Sequence, residues 1–144
     1  MVYQERNTWA TLIATVITVP FYIVIVLIQA DGGPITDVEW VPILLWTMGA
    51  SIVASIVISI VWGILAGMRD PSGVGASDQR DRDISRLGSR LGYGVLVAFA
   101  LVAFVLSMVE ADWFWIGNAL FLGFALATLV GDIARVVAYR RGIA

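Results

Sequence analysis

Four apolar runs dominate the chain: Trp9–Gln29, Val41–Met68, Leu91–Val109 and Trp113–Val137. Each is close to or above the ~20 residues a helix needs to cross about 30 Å of hydrocarbon. Together they take up about two thirds of the 144 residues, so no extramembrane domain fits in what remains. Composition agrees: 60% of residues are apolar and 14% charged, against about 45–50% and about 25% in an ordinary soluble domain. The expected fold is all-α, one four-helix transmembrane domain over residues 1–144. The first run exceeds the ~7–15-residue apolar core of a cleavable signal peptide, and "IQADGGP" is a poor cleavage site, so it stays as a helix.

Orientation follows from arginine, the only basic residue type present. The segment Ala30–Trp40 carries Asp31, Asp37 and Glu39 and no base, and the short turn after Val109 carries Glu110 and Asp112 and no base. The nine arginines lie at Arg6, from Arg69 to Arg90, and at Arg135, Arg140 and Arg141. Basic residues in short loops stay on the cytoplasmic side. Both termini and the central loop, residues 69–90, are therefore expected inside, and the acidic turns outside. Interfacial tryptophan fits this topology, with Trp40, Trp46, Trp113 and Trp115 outside and Trp9, with Tyr139, inside.

The second helix carries small or hydroxyl residues at every fourth position: Thr47, Ser51, Ser55, Ser59, Gly63 and Gly67. The fourth repeats the pattern with Ala119, Gly123, Ala127 and Gly131, and Gly88 and Gly92 add a pair at the mouth of the third. Such residues let helices approach closely in lipid, where van der Waals packing drives association. They serve packing within one bundle, or one long stripe serves a homo-oligomer. In the first helix, Pro20 leaves the Val16 carbonyl without its helical partner. Thr11, Thr15 and Thr18 stand just before it, where hydroxyls can satisfy freed backbone groups.

Polar groups within the spans are the first candidates for function. Asn118 and Asp132 share one face of the fourth helix, and Arg135 follows Asp132 at i+3, where an ion pair can form. Asp132 is either half of a pair anchoring the helix end or a proton- or cation-coupling carboxylate. The outer acids could also form a cation-concentrating vestibule, although avoidance of positive charge outside explains them almost as well.

The block "SDQRDRDISRLGSRLGYG" is the other candidate. From Arg69 to Arg90 there are five Arg and four Asp, too near neutral for direct nucleic-acid binding. Ser77 or Asp78 suits an N-cap, Asp81 and Asp83 suit the first turn, and Arg82, Arg86 and Arg90 recur at i+4. The block therefore reads as an amphipathic, membrane-proximal start to the third helix. Asp78, Asp81, Arg82, Arg86 and Arg90 form a candidate face for a cytoplasmic protein or for lipid headgroups. With no cysteine or histidine, thiol chemistry, the commonest general base and the commonest metal ligand are missing. No metal site, cofactor or enzymatic activity is expected.

The stretches "YQERNTWATL", "GASIVASIV", "DQRDRDISRLG" and "FWIGNALFLGFALATLVGDIARVVAYRRG" resemble a family of small four-helix membrane proteins of actinobacteria and other prokaryotes, a domain of unknown function. The resemblance spans nearly the whole chain and is most specific in the Asp/Arg block and in "AYRRG". That family has no assigned activity and no catalytic residues to carry over. Its members are often encoded beside small helix-turn-helix regulators, which implies a membrane partner or sensor for such a regulator. The leading expectation is a regulatory or accessory protein of a bacterial cytoplasmic membrane, homo-oligomeric, docking a cytoplasmic regulator. The rival is a small oligomeric channel or transporter lined by the Thr/Ser faces, Asn118 and Asp132.

Overall fold

The computed structural model describes residues 3–69 and 79–141. They form four long helices: α1 Tyr3–Ala30, α2 Trp40–Arg69, α3 Gln79–Met108 and α4 Trp113–Arg141, with a 3-10 turn at Ile35–Asp37 before α2. All four helices are long and apolar enough to cross a membrane. The helices outrun the apolar runs that specify them, most of all α3, whose 30 residues make a rod of about 45 Å. The charged block is thus the first turns of α3, continuous with the apolar part, as its i+4 arginines suggest.

Sequential helices are antiparallel, so one end of the bundle holds the acidic connections and the other the arginines. α3 packs mainly on α4, α4 also on α1, and α1 also on α2; the other helix pairs barely meet. The spatial order is therefore α2, α1, α4, α3, with α1 and α4 central. Large apolar side chains such as Ile56, Ile60 and Ile64 on α2 or Phe104 and Val105 on α3 stay exposed. That inverted polarity is what a lipid-facing surface requires.

The core sits at the acidic end, where Tyr22, Val26, Trp40 and Phe114 are buried together. Trp40 meets Phe114 edge-on at 5.7 Å between ring centroids and Trp113 at 5.0 Å. Trp40, the first residue of α2, stands at the acidic end but faces inward: it is only 6% exposed and its ring covers Gly117, where a side chain would collide with it. Trp46, Trp113 and Trp115 do remain exposed.

Both acidic-end connections are closed by backbone geometry. After α1, Asp31 and Gly32 adopt φ of 43° and 81°. After α3, Glu110 adopts φ 53°, with Ala111 N–H donating to Leu106 C=O at 3.0 Å and Glu110 N–H to Ser107 C=O at 3.3 Å, a Schellman closure. Asp112 then caps α4, its Oδ1 accepting from Phe114 N–H at 2.8 Å. Three of the acids read as a vestibule, Asp31, Glu110 and Asp112, are therefore turn and cap residues. Pro20 lies inside a continuous α1. The nearby threonines do not serve the Val16 carbonyl: Thr11, Thr15 and Thr18 donate to the carbonyls of Asn7, Thr11 and Ala14.

Candidate functional site

The buried carboxylates among the described residues, Asp81 and Asp132, lie toward the arginine end, where α3 and α4 meet. Glycine makes that meeting possible. A methyl group added at Gly88 would stand 2.6 Å from the Gly131 carbonyl oxygen, and one at Gly92 would stand 2.6 Å from the Ala127 carbonyl oxygen. Gly131 is less tight but still close against Gly88, at 3.0 Å, and Gly123 meets Phe99 further along. The α4 stripe of Ala119, Gly123, Ala127 and Gly131 is therefore used inside one copy, largely against α3.

Arg135 lies across the gap that these glycines leave, its side chain over Gly88. One terminal nitrogen donates to Asp132 Oδ1 at 2.7 Å, and the other to Ser89 Oγ on α3 at 3.0 Å. The expected i,i+3 pair is present, with an added reach to the neighbouring helix. Asp132 is 1% exposed. From α1, the Thr11 side chain approaches the carboxylate, but its proton is committed to the Asn7 carbonyl at 2.7 Å. Asp132 Oδ2 and Arg135 Nε consequently have no hydrogen-bond partner among the described residues. A buried polar atom left this way costs about 1–3 kcal/mol, so the pair is held by its surroundings rather than by ideal geometry.

Beyond this pair the two helices continue together. Asp81 is 4% exposed and accepts from the Tyr139 hydroxyl at 3.1 Å, while Ile84 is 1% exposed. Asp81 therefore cannot share a docking face with the arginines: it faces α4, and this corrects the reading of the block as one surface. Arg82, Arg86 and Arg90 are exposed, as are Arg80, Asp83, Arg140 and Arg141. Arg86 and Asp83 stand 3.6 Å apart, both well solvated, and such a pair contributes little. The Arg140 guanidinium lies 5.7 Å from the Trp9 ring centre, tying α4 to α1. Asp78 lies outside the described residues, as does the side-chain setting of Gly67.

Asn118 belongs to a different neighbourhood. Its Oδ1 accepts from the Tyr22 hydroxyl at 2.7 Å and its amide donates to the Phe114 carbonyl at 2.8 Å, within the aromatic core. Sharing a helix face with Asp132 does not place the two on a common path. Tyr22 was not singled out from sequence; its one signal is a phenol in the midst of an apolar run. On α2, Thr47 is buried and Ser51, Ser55, Ser59 and Gly63 are half-buried. Ser59 donates to the Asn7 side-chain oxygen at 2.7 Å, whereas a methyl group at Gly63 or Gly49 would meet nothing within 4 Å.

The site as built is a two-helix stem with a buried acid–base interior and an arginine exterior. No family model, curated protein or solved structure matches the chain, consistent with its likeness to an uncharacterised family.

Proposed function

We propose that the chain is a non-enzymatic multi-pass protein of a bacterial cytoplasmic membrane, with both termini and the arginine end inside, presenting its α3–α4 stem to a cytoplasmic regulator as an accessory or sensor subunit. One observation carries the reading. α3 runs unbroken from Gln79 to Met108, and its charged turns are fixed on α4 by Asp81, Ile84 and Gly88 while Arg82, Arg86 and Arg90 point away. Arginines on a rigid support suit the planar, bidentate recognition of carboxylates on an acidic partner surface. The one-sided arginine distribution supports the orientation.

Asn118 and Asp132 would have to line the path of a channel, and both are engaged with partners inside a single copy. That weighs against the transport reading. The homo-oligomer belongs to the proposal through α2, whose Gly49 and Gly63 border open space beside an apolar face. A second copy would meet the chain there.

The test is gentle affinity purification from native membranes with mass spectrometry of what accompanies the protein. A soluble protein in near-equal amount, lost from the Arg82→Glu/Arg86→Glu/Arg90→Glu variant and kept by Asp132→Asn, is the expected result. Recovery of the chain alone, or a companion indifferent to the three arginines, would sink the docking reading. The absence of cysteine makes orientation checkable in parallel. An impermeant maleimide on intact cells should label Asp37→Cys and spare Arg141→Cys.

A further inference from the structure

Between α2 and α4, in front of α1, lies a groove of about 140 Å³. Five hydroxyl side chains from three helices converge on it: Thr15 and Thr18 of α1, Thr47 and Ser51 of α2, and Thr128 of α4. Phe121 and Phe124 form an aromatic wall, with Met48 and Ile52 opposite on α2. No charged residue lines it.

The protons of four hydroxyls are already committed. Thr15 donates to the Thr11 carbonyl at 2.9 Å, Thr18 to Ala14 at 2.8 Å, Thr47 to Ile43 at 2.7 Å and Thr128 to Phe124 at 2.9 Å. A threonine hydroxyl that has given its proton away still holds acceptor lone pairs. With only Ser51 left to donate, the groove offers more acceptors than donors. An anion finds a single hydroxyl there, and a cation finds no counter-charge. What fits is a neutral apolar molecule carrying a hydrogen-bond donor. A cavity of about 150 Å³ with an apolar lining accepts benzene, so the volume suits a single six-membered ring, and Phe121 and Phe124 offer it faces and edges.

We propose that this groove is a binding site for a lipophilic, ring-bearing hydrogen-bond donor such as a phenol, reached from the bilayer between α2 and α4. It is well placed to be felt elsewhere. Thr15 bonds to the Thr11 carbonyl, and the Thr11 side chain abuts Asp132, whose partner Arg135 holds α3 through Ser89. Displacing α1 from α4 on ligand entry acts directly on that contact. The sensory role rests on the docking reading above; the binding site does not.

The probes are 4-octylphenol and octylbenzene, which differ by the donor, offered to the full chain in nanodiscs with empty nanodiscs as the partition control. Saturation-transfer NMR should show saturable binding of the phenol about tenfold tighter than octylbenzene, the worth of one hydrogen bond. The double variant Thr47→Val/Thr128→Val keeps shape while removing two acceptor oxygens. It should reduce the preference and leave octylbenzene unchanged, with helicity and unfolding temperature showing that it is folded. Equal binding of the two probes by the wild type overturns the proposal, and so does a preference undiminished in the double variant. Partner capture is a separate readout, so loss of the companion protein with phenol-selective binding intact would remove the docking reading alone.

Discussion

The two hairpins of this chain use the same small-residue pattern and arrive at different interfaces. Between α3 and α4 the backbones touch, glycine to carbonyl oxygen, over Gly88, Gly92, Ala127 and Gly131. Between α1 and α2 the small residues of α2 meet threonine and asparagine side chains, and a hydroxyl-lined groove remains alongside. Small residues at every fourth position permit close approach; they do not compel it. Contact needs small residues on both helices at the same level. α3 and α4 supply them, whereas α1 sets Thr15 and Thr18 beside Thr47 and Ser51 of α2, and Asn7 against Ser59.

The sharpest way to break the comparison is Asp132→Ala. It strands Arg135 between α3 and α4, and loss of one partner of a buried pair costs about 3–5 kcal/mol. Reversible SDS unfolding followed by far-ultraviolet circular dichroism should show this, and Asp132→Leu combined with Arg135→Met should recover most of it. A wild-type unfolding curve for the single variant would mean that the pair is dispensable. Next comes Gly92→Val, which drives a branched side chain into the Ala127 carbonyl and should cost about 1–3 kcal/mol by overpacking. Gly63→Ala on α2, open on the same criterion within one copy, should instead leave the unfolding of the monomer in detergent neutral or stabilised by up to about 1 kcal/mol from helix propensity. Equal effects at the two glycines would erase the distinction between the hairpins. Asp112→Ala removes the cap of α4 and should cost about 1 kcal/mol, read as a lower unfolding midpoint. Smallest is Ser59→Ala, which loses the hydroxyl donor to Asn7 and should cost about 0.6 kcal/mol, the mean for such contacts between helices in a membrane.

How much of this was legible beforehand depends on whether the signal is local. The four helices follow from the lengths of the apolar runs, and the extension of α3 from arginines one turn apart. The Asp132–Arg135 pair follows from i,i+3 spacing on one helix. The burial of Asp81 depends on Tyr139, 58 residues away, and the environment of Asn118 depends on Tyr22, 96 residues away. No periodicity within one helix reports the register between two. The burial of the Trp40 ring likewise depends on a residue of another helix, Gly117, which presents no side chain at that level. The threonine face of α1 was visible, but its role was misassigned, because a threonine on a helix reaches back to the carbonyl of its own preceding turn before it can reach one freed by a proline.

That both charges of the buried pair ride on α4 has a consequence for biogenesis. A lone aspartate or arginine adds about 2.5–3.5 kcal/mol to the cost of insertion at the centre of a membrane helix and less toward the end, where this pair sits. Here Asp132 and Arg135 can neutralise each other within a single turn, before any neighbouring helix is in place. Of the charges on α4, these two need no other helix to offset them, whereas the second hydrogen bond of Arg135, to Ser89, requires α3 to be in place. Insertion and assembly thus become separable steps, and the final clasp of the hairpin is made by a residue whose charge the helix has already accommodated.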